Sequence, residues 1–493
     1  MKTLLLITLI TFYLCATDAS ADNGSKSKHS RPNILFILAD DHRWDLLGSK
    51  SSIVKTPNLD EIASEGVLFD NAFVTTPICA SSRVSILTGL TERTHDFTFG
   101  RPATGEEESS NMYPALLKNE GYRTGFVGKY EIKISGADEQ RFDYFKPLLQ
   151  SKTNEWQGKQ IPQTYYIQNL ASEFIEQASK EDNPWALAVN FWNPHAHDVD
   201  KEEQFHYPAE FEDMYSDKTI PPANMSEDVV YEDLPDFLKS SMGRIRWEYR
   251  FSTPEMYQRI VKRHYRAISS VDKAVGSLNQ LLESLGVDDN TIIIYTGDNG
   301  YALNERQLAG KWFGWEEDLR VPLIIKDPRI KKQKEVKEIA LNIDIAPTIL
   351  DIAGVEIPDS YQGRSLIPLV GSEEVVSWRK EFFFEHMYQP KRAPIPPMYG
   401  LRTSNWKLVN FYKNNYVQLY DLDEDPEETT NLAYRDKYLY LRDALLQRAG
   451  QYIDKYETAR SKEVKSRNKF ENEMPCALRK ILDHPKLSLL YRN

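Results

Sequence analysis

The chain has 493 residues, 41% hydrophobic and 27% charged, a globular rather than a disordered composition. At roughly three times the common domain size, it has room for one large domain and a smaller one. Acidic residues outnumber basic ones by 73 to 61, a net charge of −12 that argues against broad binding to nucleic acid or anionic membranes, and only three cysteines (Cys15, Cys79, Cys476) exclude a disulfide scaffold.

The first residues read as an address. Lys2 precedes an apolar run over 4–15, and Ala19-Ser20-Ala21 supplies a small-residue cleavage site. Residues 1–21 are therefore predicted to be a secretory signal peptide, with the protein periplasmic or secreted and no membrane span, the run being too short for one. Residues 22–31 form a polar linker. The continuous apolar run 33–38 predicts a strand buried on both faces, and 185–192, 291–295 and 322–325 repeat the pattern. Between them, Ile167, Leu170, Ala171, Phe174, Ile175 and Ala178 recur at helical spacing. Tyr265, Ile268, Val271, Val275, Leu278, Leu282 and Leu285 do the same, and Gly286 stands where a helix would be capped. Strands alternating with helices predict an α/β domain over 32–375 around a mostly parallel sheet. Short strand-like runs at 381–385, 407–412 and 417–422, then a helical pattern over 438–456, predict a C-terminal subdomain over 376–493 with an antiparallel sheet. The charged stretch 460–469 reads as a solvated strap.

Three constellations carry chemistry. Asp40-Asp41 follow the first strand directly, at the carboxyl end where open parallel sheets bind ligands. Adjacent carboxylates repel unless a cation or proton compensates, although a turn or helix-capping pair is the plainer alternative. Asp298-Asn299 end another strand in the same way, and such an all-oxygen set suits Ca²⁺ or Mg²⁺ better than zinc. Cys79 opens a short helical pattern that closes at Gly89. A bare cysteine there is expected to be a nucleophile with a lowered pKa, the alternative being a buried hydrophobe.

Taken together these residues resemble the formylglycine-dependent sulfatases, whose fold is alkaline-phosphatase-like. Cys79-Ala80-Ser81-Ser82-Arg83 matches their C-x-[PS]-x-R signature, with Leu87-Thr88-Gly89 as its extension. Asp40-Asp41, Gly128-Lys129, Pro194-His195, Asp298-Asn299, Gly310-Lys311-Trp312 and the block from Glu316 to Ile324 match further landmarks in order, as do Asp344-Ile345-Ala346-Pro347-Thr348 and Leu419-Tyr420-Asp421-Leu422. The resemblance implies a sulfuric ester hydrolase acting on a sulfated carbohydrate, glycosaminoglycan or algal (ulvan-like) in type, with a layout most like the iduronate-sulfatase-like and polysaccharide sulfatases. It implies that Asp40, Asp41, Asp298, Asn299 and residue 79 hold Ca²⁺ (Mg²⁺ being possible). It further implies that a formylglycine-generating or sulfatase-maturating enzyme converts Cys79 to the nucleophilic formylglycine. Arg83, Lys129 and Lys311 would neutralise developing charge, and His195, aided by Lys311, would protonate the leaving oxygen.

The sequence departs from the family twice. Where a histidine commonly follows the first lysine, Glu131 stands and becomes the candidate base, with His95 or His42 as alternatives. Asn304-Glu305-Arg306-Gln307 replaces a G-E-H-G-like stretch, which puts the substrate subsite in question. His95, His197 and Arg320 are candidate substrate contacts. A phosphomonoester or phosphonate ester hydrolase, or a non-catalytic glycan-binding relative, are the competing readings; the intact motifs oppose the last.

Overall fold

The computed structural model describes residues 31–330, 334–371, 377–390 and 393–467; the expected signal peptide, the linker as far as residue 30, Cys476 and the end of the C-terminal segment lie outside them. The apolar runs become strands of one eight-stranded sheet: β1 (Asn33–Ala39), β2 (Val67–Phe69), β3 (Arg123–Lys129), β4 (Tyr144–Leu148), β5 (Trp185–Asn190), β6 (Thr291–Gly297), β7 (Leu323–Lys326) and β8 (Lys334–Val336). Their order is β8-β2-β7-β6-β1-β5-β3-β4. Within it β7 pairs antiparallel with both β2 and β6, and the remaining pairings are parallel. This is the expected mostly parallel mixed sheet of an α/β fold.

Six of the helices build the cores and flank the site: α1 (Cys79–Thr88), α2 (Gln163–Ala178), α3 (Met242–Arg250), α4 (Pro254–Leu285), α5 (Ile345–Ala353) and α6 (Leu439–Thr458). Period-two alternation divides β1 between two cores. Leu35, Ile37 and Ala39 pack with Ile167 and Phe174 of α2 and with Val271, Val275 and Leu278 of α4. Ile34, Phe36 and Leu38 face the other way, toward Val84 and Leu87 of α1 and Ile349 and Leu350 of α5. Burying a side chain of this kind contributes about 1.5–3 kcal/mol, so both faces hold the strand and no register slip is tolerated. The helix predicted from residue 265 begins earlier, at Pro254, because Thr253 caps it by accepting from Met256 N at 3.2 Å. It stops at Gly286, whose φ of 65° needs a residue without Cβ strain.

A second, four-stranded antiparallel sheet follows: β9 (Glu381–His386), β10 (Met398–Thr403), β11 (Trp406–Phe411) and β12 (Tyr416–Asp421). Phe383, Leu401, Leu408 and Leu419 pack beneath Leu445, Ala449 and Tyr456 of α6. The sequence reading missed β10. Gly400 interrupts its pattern, yet only glycine fits there, since a Cβ would collide with Leu408 O and the Phe384 ring. The strap from residue 460 is not wholly solvated: Lys462–Ser466 forms a short helix and Val464 is buried. Among the described residues no helix is long and apolar enough to cross a membrane.

Candidate active site

Strands β3, β5, β1 and β6 are consecutive and parallel, so their carboxyl ends share one edge of the sheet, and the polar residues that end each apolar run meet there. Asp40 and Asp41 leave β1, Asp298 and Asn299 leave β6, and Lys129 ends β3. All five are essentially fully buried. Asp41 adopts φ 64°, a left-handed conformation that aspartate tolerates better than most residues, and its N–H donates to Asp298 Oδ1 at 3.2 Å. Asn299 Nδ2 donates to Asp41 Oδ1 at 2.6 Å. On β3, Gly128 at φ 101° lies against Asn190 O with no room for a Cβ, which brings β3 close beside β5 just before Lys129.

Three cations answer three carboxylates. Lys129 Nζ pairs with Asp40 Oδ2 while lying 4.4 Å from the centroid of the Trp192 ring. Lys311 Nζ donates to Asp41 Oδ1 at 2.6 Å and lies 3.6 Å from Asp40 Oδ1. Arg83 bonds Asp298 Oδ2 through Nε at 2.8 Å, and through Nη1 the Lys129 carbonyl at 2.8 Å and Asn190 Oδ1 at 3.1 Å. Burial works to raise the Asp40 carboxyl, but Lys129 foremost, then His195, Lys311 and Arg83, hold it well below the ordinary range. Burial and the Asp40 charge push Asp298 up. Burial alone would lower Lys311, yet Asp41 keeps its ammonium well above its ordinary value, so it stays charged.

Oxygens Asp40 Oδ1, Asp41 Oδ2 and Asn299 Oδ1 are buried without a hydrogen-bond partner. Orphaned carboxylate and amide oxygens on adjacent strand ends, with Asp40 and Asp41 offering ligand atoms within 4.8 Å of each other, suit a hard divalent cation, and the residues present fit one. Asp40, Asp41 and His195 each bring a ligand atom within 4.8 Å of the others, and His197, Asp200 and His206 form a second such group on the loop after β5.

Cys79 is the first residue of α1 and is buried. The lowered thiol pKa expected from that position is not found. Burial pushes the thiol up, with Asp40 and Asp298 adding to the rise and Lys129 and Lys311 only partly opposing it. His195 Nε2 stands 3.8 Å from Asp41 Oδ2, its Nδ1 has no partner, and burial pulls its pKa below the ordinary value against Asp40 and Asp41. Glu131 lies at the rim, Oε2 3.4 Å from Lys129 Nζ, with a side chain 38% exposed.

The structure does not bring every candidate here. His95 is buried behind α1, where Nε2 meets Ser85 Oγ at 3.0 Å and Nδ1 accepts from Phe97 N at 3.1 Å. Burial holds it down to about 3, so it is open neither to substrate nor to a base role. His42 is likewise enclosed, bonded to Tyr295 Oη at 2.7 Å and Leu46 O at 3.3 Å. Arg320 is a structural brace: Nε donates to Asp70 O at 2.9 Å, Nη1 lies 3.8 Å from Glu316, and the guanidinium stacks on Trp44 at 3.9 Å. His197 stands two residues past His195, whose charge it feels, with its ring 4.9 Å from that of His206. The departing stretch 304–307 is inward-turned, with Glu305 bound to Arg43 Nη1 at 2.6 Å. Sequence reasoning missed Asn190, Trp192 and Asp198. Asn190 carried the signal already used for Asp40, a polar residue closing a buried strand.

Comparison with known proteins adds two family-model matches and several relatives. The Sulfatase family model matches residues 32–355, and the model "N-sulphoglucosamine sulphohydrolase, C-terminal" matches 304–455. An N-acetylglucosamine-6-O-sulfatase of Bacteroides thetaiotaomicron is 30% identical, over 87% of this chain and 87% of that protein. A ulvan-active sulfatase of Formosa agariphila is 28% identical, over 84% and 80%. A solved structure described as in complex with its substrate D-glucosamine-2-N,6-O-disulfate superposes with a TM-score of 0.70 at 28% identity, over 87% of this chain and 99% of the other. A phosphonate monoester hydrolase from Silicibacter pomeroyi shares the fold, with a TM-score of 0.74 at 21% identity, over 86% and 96%.

Proposed function

This chain belongs to the sulfatase family, and we propose that it is a periplasmic or secreted enzyme hydrolysing sulfate esters of a sulfated carbohydrate, of the glycosaminoglycan or ulvan type. The carrying observation is the buried set of three carboxylates, three cations and orphaned oxygens gathered at one sheet edge beside Cys79. In this reading residues 1–21 are a removable signal peptide, 32–375 the catalytic domain and 376–493 a C-terminal subdomain, and a formylglycine-generating or sulfatase-maturating enzyme oxidises Cys79.

Asp40, Asp41, Asp298 and Asn299, with residue 79, would hold Ca²⁺ or Mg²⁺. When bound, the cation and the formylglycine supply Lewis acidity and a hydroxyl nucleophile for attack on sulfur. The chain's own residues do the rest. Lys129 and Lys311 are already charged and fixed by Asp40 and Asp41, so they stabilise charge developing on the sulfate oxygens without reorganising. Arg83 acts chiefly as a brace, with Nε and Nη1 committed and Nη2 buried and free for one further bond. His195 is the proton donor to the departing alcohol oxygen, flanked by the ammonium of Lys311. Glu131, partly exposed beside Lys129, is the base for release of sulfate.

The test is a sulfate-release screen of matured enzyme over defined sulfated oligosaccharides and 4-nitrophenyl sulfate. Release from at least one sugar is expected; cleavage of the aryl ester alone would remove the carbohydrate assignment.

A further inference from the structure

Next to the reaction centre lies a second concentration of buried charge that sulfate ester hydrolysis does not use. The loop after β5 carries Asp198 and Lys201, and α3 presents Arg246, Tyr249 and Arg250. Asp198 receives Arg246 Nη2 at 2.5 Å and Arg250 Nη2 at 2.6 Å. Arg250 is fully enclosed, donating also to Gln204 Oε1 at 2.5 Å and to Tyr301 Oη. Lys201 has no such partner: Nζ is buried and makes neither a hydrogen bond nor an ion pair, lying 4.4 Å from the centroid of the Tyr249 ring. Two arginines and a lysine thus face a single carboxylate, a formal excess of two positive charges. Lys201 Nζ is buried without a partner, and Arg246 and Tyr249, which lie against each other, leave Nε and Oη buried with no other group to bond.

Unpaired buried charge is costly, and proteins retain it where a ligand completes it. The strain is visible on Lys201, whose ammonium is pulled down to about 8 by burial and by Arg250 and Arg246, with only Asp198 resisting. The cluster also touches the reaction centre. Asp198 is three residues beyond His195 and is influenced by its charge. The Arg246 guanidinium stacks 4.6 Å from the ring centroid of Trp312, the neighbour of Lys311.

We propose that Lys201, Arg246 and Tyr249 form a second oxyanion site, which takes a carboxylate or a second sulfate of the same saccharide whose sulfate ester is cleaved. The proposal rests on the sulfated-carbohydrate reading and narrows it to doubly anionic substrates. A carboxylate or sulfate there accepts from Lys201 Nζ, Arg246 Nε and Tyr249 Oη, and returns the cluster toward neutrality. Each charge-assisted bond to such a group contributes about tenfold in affinity.

The experiment uses the matured full-length enzyme and matched pairs of sulfated saccharides that differ only in a second sulfate or only in a uronate carboxylate. Wild type is expected to show at least tenfold higher kcat/KM for the doubly anionic member of one pair, and the pair that shows it identifies the group. Lys201→Gln should raise KM for that member several-fold more than for its singly anionic partner, and Arg246→Lys should act in the same direction. No preference in either pair, or a preference that survives both variants, overturns the second site while leaving the sulfatase reading intact. Cleavage of 4-nitrophenyl sulfate with no release from any sugar overturns the carbohydrate reading and this inference with it. Should one variant fail to fold, the other carries the test, because each alters one of the proposed contacts.

Discussion

Replacing His195 with alanine separates proton donation from every other part of the site. The imidazole makes no hydrogen bond: Nε2 is 3.8 Å from Asp41 Oδ2, Nδ1 has no partner, and the ring stands edge-on to Trp192 at 6.0 Å. Its removal forfeits one long contact to Asp41 and the ring's packing on Trp192, so stability should fall by about 1–2 kcal/mol with the fold retained. Activity should respond according to the leaving group. A sugar alkoxide cannot depart without a proton, and general acid catalysis typically contributes about 10²–10⁴-fold, or about 2.7–5.5 kcal/mol. A nitrophenolate leaves unaided, so the aryl ester should lose less than about tenfold. Paired kcat/KM measurements on a sugar sulfate and 4-nitrophenyl sulfate give the ratio directly. The pH profile supplies a second check. Burial holds His195 below its ordinary 6.5, so its protonated fraction, and with it the sugar-sulfate rate, should fall as pH rises through that lowered value. Equal losses on both esters would refute His195 as the donor and leave Lys311 in that role.

Stripping divalent cations with a chelator should lower the melting temperature and abolish turnover, with Ca²⁺ or Mg²⁺ restoring both, because Asp40, Asp41 and Asn299 then keep unsatisfied buried oxygens. At a hundredfold excess over Kd a bound ion contributes about 2.7 kcal/mol, and a melting curve unmoved by chelator would count against the site. Cys79→Ser, made in a host that converts only cysteine, should keep the fold and lose turnover, and peptide mass should show the aldehyde in wild type alone.

Much of this site was readable because parallel strands place chemistry at predictable points. Asp40 and Asp298 follow long buried runs directly, and neighbouring β1 and β6 necessarily bring those points together. Lys129 was found from its motif rather than its strand, since Thr124, Gly125 and Gly128 dilute the apolar signal of β3. β10 was hidden in the same way by Gly400, whose small size is a packing requirement and looks like a break. Burial was the other blind spot. His95 and Arg320 carry suggestive chemistry in sequence, and only the packing reveals that Ser85, Phe97, Asp70 and Trp44 have already claimed them. The Asp198, Arg246 and Arg250 network unites a loop and a helix about fifty residues apart, and no local spacing announces it.

Glu131 bears on why a site of this fold would prefer sulfate to phosphate. Asp40, Asp41 and Asp298 cancel Arg83, Lys129 and Lys311, so a divalent cation would leave a formal charge of plus two, which suits a phosphate monoester dianion. Glu131, 3.4 Å from Lys129 Nζ, adds a carboxylate that reduces that charge to plus one, the complement of a sulfate monoanion. A partly exposed charge at the rim of such a site contributes about 1 kcal/mol. Glu131→Gln should therefore raise the ratio of kcat/KM for 4-nitrophenyl phosphate over 4-nitrophenyl sulfate about fivefold, with a larger effect at low ionic strength. In its proposed role as base for sulfate release, Glu131 would act after the alcohol has gone, so the same variant should slow all sulfate esters alike and show a burst of the first product. A burst without a change in the ratio would keep the base and discard the charge argument; a changed ratio without a burst would do the reverse.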